Sequence, residues 1–151
     1  MNVFISKISA VLDDLEPVPD QPTENIACEI ITFDGSEKDN AKWKALVAEH
    51  IKTANTFEIH CWAEEQDKIA LALQYGTLKD FDWKYGKVIA GSVTAEFAAM
   101  LLNMPKPIDT VISNKMTPFF SIFFDNGFSS EHYGTENIIR EIILKTSSEK
   151  L

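Results

Sequence analysis

The chain has 151 residues, 45% of them hydrophobic and 11% aromatic, with a formal net charge of −9. Such a length and apolar content suffice for one domain with its own core, and they exclude a disordered chain or a scaffold that depends on metal or disulfide staples. Arg140 is the only arginine, so the clustered cations that hold nucleic acid or an anionic membrane are lacking, and no apolar run approaches the roughly 18 residues of a spanning helix.

Phe4, Ile5, Ile8, Val11, Leu12 and Leu15 recur at helical spacing. An amphipathic helix is therefore expected over residues 1–16, stopped by Pro17. Residues 17–25, opening Pro17-Val-Pro-Asp-Gln-Pro22, read as a stiff extended connector, because each proline fixes φ and biases its predecessor away from helix. The first residues lack a basic segment followed by a long apolar block, so no leader is read and a cytoplasmic location is expected.

Ile26 to Phe33 reads as a strand. Ser36, with Asp39 three positions on, caps a helix whose apolar stripe is Trp43, Leu46, Val47, His50 and Ile51. Residues 56–62 and 69–75 read as two strands of a hairpin joined by the polar loop 63–68. In the first of them Phe57, Ile59 and Cys61 share one face and Glu58, His60 and Trp62 the other. Residues 76–84 are loop-like, 85–93 read as a strand broken by Gly86 and Gly91, and Thr94 caps a helix to residue 104, ended by Pro105 and Pro107.

A short strand is expected at 108–112. Residues 116–134 hold five of the ten phenylalanines. They read as a β-hairpin: an apolar strand from Phe119 to Phe124, the turn Asp125-Asn126-Gly127, and a return arm to Tyr133. A strand apolar on both faces belongs near the middle of a sheet. Thr135 is expected to cap a last helix over 136–146, with Ile138, Ile139, Ile142 and Ile143 inward. The expected fold is a single α+β domain over residues 1–151. Its sheet has five to seven mainly antiparallel strands, with mixed pairing admitted, and about four helices pack on it.

Cys28 and Cys61 both fall in apolar strand-like segments and read as buried free thiols, with no CxxC neighbour or adjacent cation to activate them. Between Lys7 and Lys38 there are eight acids and no base, which keeps a protein soluble and steers basic partners toward it. Phosphate-binding, dinucleotide, HExxH, GxSxG and paired CxxC motifs are all absent, so no catalytic residue, cofactor or metal is assigned.

Two uses of the remaining polar and aromatic residues follow. Large aromatics amid carboxylates make a binding patch for a basic protein, with Glu58, His60, Trp62, Glu64, Glu65, Asp67, Asp82 and Trp83 as its residues. The leading expectation is therefore a small acidic protein-binding or inhibitor protein of the immunity type, without catalytic activity. The alternative is a small-ligand or hydrolytic pocket in which Glu58 orients His60, joined by His132 and Tyr133. It requires the two histidines to meet on one sheet face. A third reading, a homo-oligomeric scaffold, would dimerise through the N-terminal helix or a sheet edge.

Overall fold

The computed structural model describes residues 4–10, 23–108 and 114–145. Its elements run β1 (Phe4–Ala10), β2 (Thr23–Thr32), α1 (Glu37–Ile51), β3 (Thr56–Trp62), α2 (Gln66–Leu73), β4 (Thr77–Leu78), β5 (Gly86–Ser92), α3 (Ala95–Asn103), β6 (Ser121–Phe124), β7 (Phe128–Glu131) and β8 (Glu136–Lys145). All eight strands join one sheet in the order β1-β2-β8-β7-β6-β3-β5-β4. Every pairing is antiparallel. The class is α+β, as expected, with three helices among the described residues. None of them is long and apolar enough to cross a membrane.

Alternation in β3 organises the centre. Phe57, Ile59 and Cys61 are buried in one cluster with Trp43, Val47 and Ile51 of α1, Ala72 of α2, and Phe97 and Leu101 of α3. All three helices therefore cover the same face. Phe57 and Phe97 stack with centroids 3.9 Å apart, and Ile122, Phe124 and Phe128 extend that core along β6 and β7. The caps read from sequence are formed. Ser36 Oγ accepts the Asp39 N–H at 3.1 Å and Thr94 Oγ1 the Phe97 N–H at 3.0 Å.

The Phe-rich hairpin occupies the middle of the sheet, β6 lying between β7 and β3. Its turn needs glycine: Gly127 has φ +91, and a Cβ there would stand 2.6 Å from the Arg140 carbonyl oxygen. Side chains tie the turn to the α1–β3 junction. Asn126 Nδ2 donates to the His50 carbonyl at 2.7 Å and to Thr53 Oγ1 at 2.8 Å. His50 itself stacks on Phe128 at 4.6 Å, and burial lowers its pKa. It is a packed helix-end histidine.

Five expected elements are corrected. Residues 4–10 of the expected helix 1–16 form β1, paired with β2 from Phe4↔Thr32 to Ala10↔Ile26. Residues 17–22 of the expected connector lie outside the described residues, and Thr23–Asn25 already belong to β2. The expected strand 69–75 and loop 63–68 are instead a turn and α2, because Gln, Lys, Ala and Leu favour helix, Asp67 suits its first turn, and Ile69 is the lone β-branched residue of Gln66–Leu73. The expected helix 136–146 is β8, joined on both sides by β2 and β7. Its four isoleucines are β-branched, which suits a pleated surface between two neighbours. Thr135 accordingly caps no helix, and its hydroxyl donates to the His132 carbonyl. The expected strand 108–112 falls mostly outside the described residues, and Ile108 is 98% exposed.

Trp43 spans helix and sheet, its Nε1–H donating to the buried Ser130 Oγ at 2.8 Å. Trp43→Phe leaves that hydroxyl without its donor and is expected to cost about 1–3 kcal/mol, read as a lower urea midpoint with an unchanged slope.

Candidate functional site

The strand register puts a second set of side chains on the face opposite the three described helices, called here the helix-free face. His60 pairs with Ser121 and Val88, and Glu58 with Phe123 and Ala90. Ser121 pairs in turn with Glu131, and Ser129 with Ile138. Glu58, His60 and Trp62 thus face one way as read from sequence, opposite the core.

Glu58 and His60 are partners: Glu58 Oε1 lies 3.4 Å from His60 Nε2, with both side chains part-buried. The other carboxylate oxygen, Oε2, accepts from Lys79 Nζ, a residue that no sequence pattern places there. Hydrogen bonding to Lys79 is the chief cause that holds the Glu58 carboxyl below its ordinary pKa, with burial opposing and His60 assisting.

Rings enclose His60. Phe123 lies 4.8 Å away, Trp83 5.8 Å and Phe81 6.2 Å, centroid to centroid. Phe81 and Trp83 belong to the 79–85 loop, which folds over this end of the sheet and buries Val88 to 2% exposure. Gly86 permits that fold, because a Cβ there would overlap the Trp83 ring. A groove of about 310 Å³ runs between loop and strand, lined by Leu78, Lys79, Asp80, Phe81, Trp83 and Gly86–Val88. Of its lining, Phe81 is 55% exposed and Leu78 54%, and Tyr85 beside it is 61% exposed.

At the neighbouring corner Trp62 packs on Trp83 and Phe120, and Phe120 on Tyr133. Tyr133 OH donates to Glu65 Oε2 at 2.8 Å, while Glu65 Oε1 accepts the Trp62 N–H at 3.1 Å. Glu65 therefore joins β3 to the β7–β8 turn. Glu64 and Asp82 are exposed, and exposed Asp67 pairs with Lys68 at 2.8 Å.

His132 and Tyr133 are not on alternating faces of a return strand. Both sit in the β7–β8 turn with left-handed backbones, φ 53 and φ 60, a conformation costly for residues with a Cβ. His132 is 59% exposed at the side chain, 3.2 Å from Glu136, and its ring contact is with Phe120. The sheet does not bring His60 and His132 together. Two strand spacings, roughly 10 Å, separate His60 from Glu131, the residue before His132, and the rings linking the histidines are Trp83, Trp62 and Phe120.

Farther across the same face, Arg140 donates through Nη1 to Ser129 Oγ at 3.0 Å and lies 3.5 Å from Glu131, which accepts from Ser129 Oγ at 2.7 Å. Sequence reading missed this cluster, along with Phe81, Lys79 and Phe123 at His60. The signal for it would have been β8 read as a strand beside β7. The two thiols lie on opposite faces. Cys28 pairs with Arg140 on the helix-free side, while Cys61 is fully buried beneath the helices and its thiol is pushed up to about 12 by burial.

No group of three or more His, Cys, Asp or Glu residues fit to hold a metal ion occurs among the described residues. No family model, no curated protein and no solved structure matches the chain.

Because Glu58 is depressed in the folded state, its share of stability is present above the unfolded carboxyl pKa and is lost as pH falls through the folded one. Lys79→Ala is expected to move the Glu58 titration upward, toward the ordinary carboxyl value, and His60→Ala to move it less; carbon-detected NMR of the carboxyl reads both. Thiol titration of the native protein is expected to find one accessible group, lost in Cys28→Ser, with Cys61 reacting after unfolding.

Proposed function

We propose that the chain is a non-enzymatic protein-binding domain of the inhibitor type, which grips a basic protein with the helix-free face and the 79–85 loop. One observation carries this reading. Phe81, Tyr85 and Leu78 stand more than half exposed around part-buried Trp83. A lone soluble domain gains nothing by exposing three large apolar side chains together, whereas aromatic anchors of this type dominate the energetics of protein interfaces. Glu58, Asp80, Asp82, Glu64 and Asp67 supply carboxylates to the rim, and the net charge of −9 favours a cationic partner. His60 and Trp62 act in this reading as the rigid floor beneath the loop.

A pocket using Glu58, His60, His132 and Tyr133 has less support. Glu58 and His60 form a pair suited to proton transfer, and the left-handed backbones at His132 and Tyr133 are of a kind that gathers at functional positions. The separation of the histidines leaves that pair without its second half.

Immobilised chain is expected to retain one basic protein in stoichiometric amount from its native cytoplasm at low salt, with retention falling as salt rises. The double variant Phe81→Ala/Tyr85→Ala should lose about a hundredfold or more in affinity while unfolding at the same urea midpoint. No retained partner, or retention indifferent to the double variant, overturns the reading. A chain that binds only itself, seen as a doubled mass in solution, points instead to the scaffold.

A further inference from the structure

A second cleft opens on the helix-free face, on the far side of Glu58 from the 79–85 loop. It measures about 260 Å³ and lies between β3 and β6, lined by Thr56–Glu58 and Phe123–Asp125. The rings of Phe57 and Phe124 are buried on the helix side at 1% and 6% exposure. A ligand in the cleft therefore meets Thr56, Glu58, Phe123 and Asp125.

The register sets the spacing of its two acids. Glu58 pairs directly with Phe123 and Phe57 with Phe124, and the Asp125 N–H donates to the Thr56 carbonyl at 3.2 Å. Asp125 is thus the diagonal neighbour of Glu58, at roughly 7–8 Å between backbone positions, with the Phe123 ring beside both. Asp125 Oδ1 accepts the N–H groups of Asn55 at 2.8 Å and Thr56 at 3.3 Å. These bonds keep its carboxyl below the usual range and hence ionised. The Asn55 side chain adds a further hydrogen bond to this exposed carboxylate. Glu58 meets Lys79 from the other side, since Lys79 lines the neighbouring groove and not this cleft.

Resting on the partner-binding reading above, we propose that this cleft receives an arginine side chain of the basic partner. A guanidinium is flat, so one face lies on the Phe123 ring while its two edges donate to Glu58 and Asp125 at the same time. An ammonium is a compact point charge and serves one carboxylate at a time. The cleft selects arginine over lysine by that difference. It is separate from the apolar grip at Phe81 and Tyr85, so the face holds its partner by two unlike contacts.

The test is an amide-resolved NMR titration of the full chain with Nα-acetyl-arginine amide and, in parallel, Nα-acetyl-lysine amide. Saturable shifts at 55–58 and 123–126 are expected in the millimolar range, with the lysine compound about fivefold weaker or more. Glu58→Gln and Asp125→Asn retain one acceptor oxygen, the latter for the Asn55 and Thr56 N–H groups, and remove the charge together with the second acceptor. Each should weaken the arginine compound about fivefold, whereas Ile108→Ala, at an exposed side chain that lines neither cleft, should leave it unchanged. Shifts that fail to saturate, that map elsewhere, that do not distinguish arginine from lysine, or that survive both carboxamide variants overturn the proposal. If the cleft fails while a partner is still retained through Phe81 and Tyr85, only the arginine seat is wrong. If the cleft binds and no partner is ever retained, the protein-binding reading is wrong and the seat remains.

Discussion

The insertion of Trp43, Val47, Phe97 and Leu101 between the helices and the side chains of Phe57, Ile59, Ile122 and Phe128 fixes everything else in the described chain. Once those residues are committed to one face, a period of two leaves Glu58, His60, Ser121, Phe123, Ser129 and Arg140 no choice but the other. Slipping β3 by one residue would drive a glutamate and a histidine into a dry core and expose a phenylalanine, an isoleucine and a thiol. The desolvation penalty for the charged groups alone makes that arrangement untenable. The polar character of the helix-free face is therefore a consequence of how the core is packed.

Such a face needs its own means of covering apolar surface. Among the described residues no helix serves it, and the 79–85 loop lays Trp83 over Gly86, shields Val88 and packs against His60. Elsewhere Ser129, Glu131 and Arg140 spread a hydrogen-bonded network over the sheet. A guanidinium and carboxylate that are part-buried add little net stability, because Coulomb gain is set against desolvation. They do exclude alternative pairings, since neither group tolerates a slip that removes the other.

Much of this was legible in residues 26–62 and 85–104, where alternation, Ser36 and Thr94 name the elements with little ambiguity. The hairpin at 119–131 was equally plain, because Asp125-Asn126-Gly127 supplies the left-handed position the turn requires. The failures share a cause. At 4–10 and 136–145 the isoleucines fit helical spacing as well as a strand, and a pattern that satisfies both periods is decided by β-branching and by available partners. β2 and β7 are those partners for β8, and nothing local announces them. At 69–75 the error reverses: a short apolar run of Ala and Leu reads as strand although its residues favour helix. The face holding Glu58 and His60 could be read from one strand. Lys79, Phe81 and Phe123 could not, because the cross-strand register that places them is a property of pairs of segments, and the separation of His60 from His132 depends on that same register.

Charge near the aromatic surface is more balanced than the whole chain suggests. Lys79, Lys84 and Lys87 lie within or beside the 79–85 loop, offsetting Asp80, Asp82 and Glu58, and Lys84 Nζ sits 5.5 Å over the Tyr85 ring. An excess of acid therefore does not concentrate where the exposed aromatics are. For a surface of this kind, net charge acts mainly on the rate of encounter and is screened over about 8–10 Å. Holding strength falls to desolvated apolar contact and to a few charge pairs of defined geometry. Asp125 is placed for the second role, because two backbone amides hold it ionised and oriented at the edge of the face. Orientation at rest favours it for that role: a freely rotating carboxylate must lose side-chain entropy when it meets a cation, and one already fixed by its own backbone loses much less.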